Sequence, residues 1–221
     1  MVFYFTPRGA TKENGMLIYM GKDKYENEEL IRYAFDEDVW FHVDNLSSAH
    51  VYLRLPRGMS IDDIPEDTLE DCCQLVKENS IQGCKQDNVP IIYTPWKNLR
   101  KQKSMEVGQV GYHSQKEVRK TTVAKKDKII LKRLEKTREE RHNDARELAE
   151  ERERYDKLLK GERKALAKKL EDERKVAAAE SRAQKELREY KTILAEDALE
   201  EHKAEMEKYK GNFNAYEDDF M

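Results

Sequence analysis

A break in composition near residue 124 constrains this chain more than any other feature. All five prolines (Pro7, Pro56, Pro65, Pro90, Pro95), both tryptophans and most of the Phe and Ile precede Met105, whereas beyond Lys125 about every second residue is Lys, Arg, Asp or Glu. With 38% hydrophobic against 39% charged residues in 221, one core cannot run the whole length. Three segments are expected: a domain over 1–124, long enough to bury a core, a charged helix over 125–210, and a tail over 211–221. The tail is acidic and aromatic (Phe213, Tyr216, Phe220), which suits a short docking peptide.

Within the first segment, strand-like and helix-like runs alternate. Val2–Thr6 and Met16–Met20 are apolar, aromatic and β-branched, with Pro7, Gly9, Asn14 and Gly15 between them, which predicts a hairpin. Asn27–Phe35 sets Leu30, Ile31, Ala34 and Phe35 at helical spacing, with Asn27 the expected N-cap. Val39–Val43 and His50–Leu55 predict two further strands, and Val89–Tyr93 another. Asp62–Ser80 predicts a second helix, with Leu69, Cys72, Cys73 and Val76 on one face. Val107–Tyr112 and Val118–Val123 are expected to close the sheet as an edge hairpin. The fold class is therefore α+β: a mostly antiparallel sheet with two helices, followed by a long charged α-helix or coiled coil.

From Lys125 to Lys210 there is no proline and one glycine, Gly161, so a helix there would extend about 130 Å at about 1.5 Å per residue. Its apolar positions, Leu134, Leu148, Leu159, Leu166 and Leu187 among them, are interrupted by Arg138, Arg141, Arg152, Glu162 and Glu173, a poor coiled-coil seam. Acid-first i,i+4 pairs (Glu150 with Arg154, Glu153 with Lys157, Glu171 with Lys175) each add about 0.2–0.5 kcal/mol. A single solvated helix and a coiled coil both remain open. Either makes the segment a spacer or a platform for a protein partner.

Charge balance and cysteine usage narrow the classes. The 42 basic residues are offset by 45 acidic ones, so only local patches can attract a polyanion. Three cysteines, two of them adjacent (Cys72, Cys73, Cys84), form no disulfide framework and fit reduced thiols in a cytoplasmic or nuclear setting. Met1–Arg8 lacks the pattern of a secretory signal, and no run of about 18 apolar residues encodes a membrane span.

Three motifs could carry chemistry. Gly21-Lys22-Asp23-Lys24-Tyr25 follows a strand and leads through Asn27 into a helix, where free N–H groups, two lysines and a tyrosine could meet phosphate and base. A capped, solvated turn with ordinary lysines accounts for the same residues. The stretch from Asp38 to Val51 holds His42, Ser47, Ser48 and His50, but lacks a third clear ligand and the glycines of a nucleophile elbow. No metal site, cofactor or catalytic set is expected there. Polar groups that fix the loop, or that meet phosphate and base edges, are the expectation. The basic run Lys97, Arg100, Lys101, Lys103, Lys116, Arg119, Lys120, Lys125, Lys126 and Lys128 follows Tyr93 and Trp96, suiting either an RNA backbone or a lysine-protected sheet edge.

Gly21-Lys22-Asp23 with Asn27-Glu28, Asp38-Val39-Trp40-Phe41-His42 and Ser48-Ala49-His50-Val51 resemble the signature of the NFACT-R domain. The resemblance continues through Tyr93-Thr94-Pro95-Trp96, Asn98-Leu99 and Val107-Gly108-Gln109-Val110, covering about residues 1 to 125. It implies nucleic-acid binding. In ribosome quality-control factors the domain belongs to a tRNA-handling protein. Stand-alone members with a charged helix are described as DNA-binding, with the loop matching Gly21–Tyr25 as a contact, and as cell-membrane receptors for extracellular DNA. The expected function is sequence-tolerant binding of DNA or RNA, extending to DNA sensing, with no enzymatic activity. The alternative is a protein–protein adaptor linked to translation, and a nucleic-acid-processing enzyme using His42, Ser48 and His50 ranks third.

Overall fold

The computed structural model describes residues 1–11, 13–102, 104–142 and 145–208. Lys103 and the expected tail lie outside them. The chain divides into two compact units, residues 1–157 and residues 158 onward.

The first unit contains β1 (Val2–Phe5), β2 (Leu17–Gly21), α1 (Lys24–Tyr33), β3 (Asp38–Val43), β4 (Val51–Arg54), α2 (Glu66–Glu78) and β5 (Val89–Pro95). Next come β6 (Leu99–Arg100), β7 (Gly111–Tyr112), β8 (Arg119–Val123), α3 (Lys128–Lys136), β9 (Glu139–Arg141) and the first turns of α4 (Ala145–Lys208). Seven strands form one antiparallel sheet in the order β8-β5-β3-β4-β2-β1-β9, while β6 and β7 pair separately.

The period-two pattern decides what each face buries. Ile18, Met20, Val39, Phe41, Val51, Leu53 and Ile91 pack with Cys72, Cys73 and Val76 of α2 and Ile130 and Leu134 of α3. Their alternates Tyr19, Trp40, Tyr52 and Ile92 pack on the opposite side with Leu30 and Ile31 of α1 and Leu148 of α4. The sheet thus carries a layer on both faces. On the second face the buried Asp38 carboxylate accepts from Arg54 Nε at 2.9 Å, Arg54 Nη2 at 3.0 Å, the Tyr19 hydroxyl at 2.7 Å and Phe35 N–H at 2.6 Å. That network ties the end of α1 to the sheet.

The α+β architecture follows the sequence, but three local expectations change. Asp23, and not Asn27, caps α1, so the helix starts earlier and Asn27 turns inward, 5% exposed. The expected edge hairpin does not form: β7 pairs with β6, and β8 pairs with β5. The expected continuous helix from Lys125 is broken, because Ile130 and Leu134 bury against the sheet layer and the chain then returns as β9 along the open edge of β1. Arg138 lies 4.2 Å over the Phe3 ring and Arg141 4.6 Å over Tyr4, which favours this return.

The second unit is described as helix only. α4 runs through Gly161 without a break, and every side chain from Lys160 to Glu207 is exposed. Of the expected ion pairs, Glu153–Lys157 and Glu171–Lys175 form at 2.7 and 2.8 Å, whereas Glu150 pairs with Arg146 at 3.1 Å. Among the described residues no helix is long and apolar enough to cross a membrane.

Candidate nucleic-acid interface

The loop after β2 is built around a close approach. A Cβ on Gly21 would stand 3.0 Å from the Asn27 backbone nitrogen and 3.1 Å from Glu26 Cβ, so a side chain there would push α1 away from the strand. Asp23 Oδ1 accepts from the N–H groups of Tyr25 at 2.9 Å and Glu26 at 3.0 Å. The Glu26 and Tyr25 amides hold its carboxyl below the usual carboxylate range. Asp23 therefore occupies the helix start that a phosphate would otherwise use, and a strand at this loop must be held by the lysines.

The carboxylates next to those lysines are already engaged. Glu26 pairs with the Met1 ammonium. Glu28 Oε1 accepts from Lys101 Nζ at 2.5 Å and from Gly108 N–H at 2.6 Å. Lys22 and Lys24 make no ion pair among the described residues, and Lys24 Nζ sits 5.4 Å from the ring of Tyr25, itself 65% exposed.

On the neighbouring strands, His42, Ser48 and His50 are held by local bonds. His50 Nδ1 accepts from the Trp40 indole N–H at 2.8 Å. Burial, helped by nearby His42 and Lys101, pushes His50 down to about 3, so it is neutral at physiological pH. His42 stacks on Trp40, with ring centroids 5.3 Å apart, and its Nδ1 lies 2.7 Å from the Val43 carbonyl. Burial lowers its pKa, against the pull of the Val43 carbonyl. The Ser48 hydroxyl accepts from Val43 N–H and donates to the Ala49 carbonyl, both at 3.1 Å. Among the described residues no hydrogen bond joins it to an imidazole.

Gly21, Lys22, Asp23, Lys24, Asn27, His42, Ser48 and His50 all line one cavity of about 450 Å³. Asn27 Oδ1 accepts from the Tyr52 hydroxyl at 2.9 Å, while Asn27 Nδ2 is buried without a partner among the described residues. An unmet buried donor costs about 1–3 kcal/mol, so this amide is set to receive an acceptor. Tyr25, Lys97, Arg100 and Lys101 do not line the cavity. Lys101 spends its three donors on Glu28 and on the Glu106 and Gln109 carbonyls, at 2.5, 2.7 and 2.8 Å. Lys97 pairs with Asp36 at 3.0 Å, Arg119 with Asp62 at 2.5 Å, Lys120 with Asp44 at 2.8 Å, and Lys126 with Glu78. Five of the nine described members of the basic run are thus matched by carboxylates, while Arg100, Lys116, Lys125 and Lys128 make no ion pair among the described residues.

Ile81 and Val107 also line the cavity, 77% and 44% exposed. Motif reading passed over Ile81; its signal is a lone branched apolar residue in the polar stretch Asn79-Ser80-Ile81-Gln82. Among the described residues no three His, Cys, Asp or Glu side chains come together to hold a metal ion.

The chain belongs to the NFACT-R family: residues 1–114 match the NFACT protein RNA binding domain, a nucleic-acid-binding class. Its relatives carry the resemblance past the domain. It is similar to the coiled-coil domain-containing protein 25 of Danio rerio, 60% identical over 157 residues, covering 71% of this chain and 73% of that one. The Mus musculus protein of the same name is 51% identical over 194 residues, 88% of this chain and 91% of the relative. Protein JLP2 of Saccharomyces cerevisiae is 44% identical over 146 residues, 65% and 70% of the two chains. Among solved structures, the C-terminal part of a fibronectin/fibrinogen-binding protein from Streptococcus suis aligns at 19% identity and TM-score 0.48, covering 59% of this chain and 48% of that chain.

Proposed function

We propose that the first unit binds nucleic-acid strands with little regard to sequence, through Lys22 and Lys24 at the mouth of the cavity beside α1. The observation that carries this reading is a contrast in pairing. Lys97, Lys101, Arg119, Lys120 and Lys126 face carboxylates, whereas the two loop lysines make no ion pair among the described residues, beside carboxylates that are committed elsewhere. Two unpaired cations beside a polar cavity suit a phosphate backbone, and nothing in the loop reads base identity. On this reading Ser48 and His50 serve to position the cavity wall, the Ser48 hydroxyl bonded to the Val43 and Ala49 backbone and the His50 ring to the Trp40 indole. Both DNA and RNA fit this site, so DNA sensing and RNA handling are two uses of one surface. The exposed length of α4 serves as spacer or partner platform.

The test is titration of labelled DNA and RNA strands by fluorescence anisotropy across a salt series. Binding at low salt is expected. Lys22→Ala with Lys24→Ala should weaken it and lower the salt slope by up to about two units, at about 0.7–0.9 per lost phosphate contact. An unchanged slope removes the loop from the interface. Absence of binding to either polymer would favour a protein adaptor acting through α4.

A further inference from the structure

A surface that only tracks phosphates has no use for an unmet donor in its floor or for apolar side chains at its rim. The cavity beside the Gly21–Tyr25 loop has both. Asn27 lies in its wall, 5% exposed, with Oδ1 taken by Tyr52 and Nδ2 left over. With the Tyr52 hydroxyl donating to Oδ1 at 2.9 Å, the end of the amide without a partner among the described residues is its Nδ2 donor. Ile81 and Val107 bring exposed branched surface to the same cavity, although the chain separates them widely from each other and from α1. At about 450 Å³ the space falls within the range of about 300–1,000 Å³ usual for small-ligand clefts.

We propose that this cavity receives one unpaired nucleotide of the bound strand. Its base lies against Ile81 and Val107, a ring nitrogen or carbonyl oxygen of the base edge accepts from Asn27 Nδ2, and its phosphate faces Lys22 and Lys24. The inference rests on the nucleic-acid reading above and adds one demand: the strand must offer an unstacked base. A paired base inside a duplex cannot meet that demand, because its edge is engaged and stacking holds it in the helix. Every nucleobase carries at least one edge acceptor, so a single amide donor holds a base without selecting strongly among the four.

The experiment is competition against a labelled single strand, on the full chain, by oligonucleotides of equal phosphate count: a single strand, a blunt duplex, and a duplex with an unpaired overhang. The single strand and the overhang are expected to compete about tenfold better than the blunt duplex, the scale of one base contact. Ile81→Ser, at a position exposed enough to leave folding intact, should erase that preference while leaving blunt-duplex binding and its salt slope unchanged. Asn27→Ser should also erase the preference, with its melting temperature recorded alongside. Lys22→Ala with Lys24→Ala should weaken all three competitors alike. Equal competition by blunt and frayed ends, or a preference that survives Ile81→Ser, overturns the nucleotide pocket and leaves the strand-binding reading standing. No binding of any oligonucleotide overturns both.

Discussion

The indole N–H of Trp40 donates to His50 Nδ1 at 2.8 Å, which requires that nitrogen to be unprotonated. Protonation would set two donors against each other, and burial, with His42 and Lys101 close by, already lowers the His50 pKa from 6.5 to about 3. Between those values the unfolded chain binds a proton that the folded chain refuses. Stability is therefore complete above about pH 6.5 and is lost as pH falls, by up to about 1.4 kcal/mol per pH unit for each such histidine. His42, lowered in the same direction, adds to the slope. Urea denaturation at pH values either side of 6.5 should show the decline, and His50→Gln should flatten it; an equal slope in that variant would break the assignment.

Gly21→Ala should destabilise the first unit and displace the binding loop. The new Cβ meets backbone at 3.0 Å, and backbone cannot swing aside as a flexible side chain can. A loss of about 1–3 kcal/mol is expected from such overpacking, together with weaker oligonucleotide binding. Wild-type stability in the variant would show that α1 shifts freely against β2.

A fragment ending at residue 124 should fail to fold cooperatively, whereas one ending at residue 157 should fold. Ile130, Leu134, Leu148 and Tyr155 are all buried, and each contributes roughly 1.5–3 kcal/mol against a typical total of about 5–15 kcal/mol. Loss of β9 also bares the β1 edge, which invites aggregation. Matching cooperative melts for the two fragments would show that α3, β9 and the start of α4 are dispensable.

The exposed part of α4 should be helical without a partner copy. Charged residues interrupt its would-be seam, and local pairs such as Glu171–Lys175 at 2.8 Å need no second chain. Sedimentation should report a monomer, and helical circular dichroism should be independent of concentration but fall as salt screens the pairs. A dimer whose melting rises with concentration would mean that the leucines outweigh the intervening charges.

Much of this protein is written in local periodicity. Apolar, aromatic and β-branched runs within Leu17–Gly21, Asp38–Val43 and Val51–Arg54 are enough to assign strands, and the pleat then sends neighbouring side chains to the two covered faces. The loop from Gly21 to Tyr25 and the His42–Ser48–His50 segment are equally legible as motifs, and the structure brings most of them to one cavity. Tertiary structure alone decided how those residues are used. Asn27 looks like a cap, yet Asp23 caps and Asn27 is turned toward Tyr52. Lys101 reads as a phosphate contact, yet its ammonium meets Glu28 from 73 residues away. Ile81 and Val107 carry no shared pattern, and β9 is too short and charged to announce itself as a strand. Periodicity records which way a side chain faces along its own element; which distant donor, carboxylate or sheet edge it then meets is set by chain packing, and that information has no local period to read.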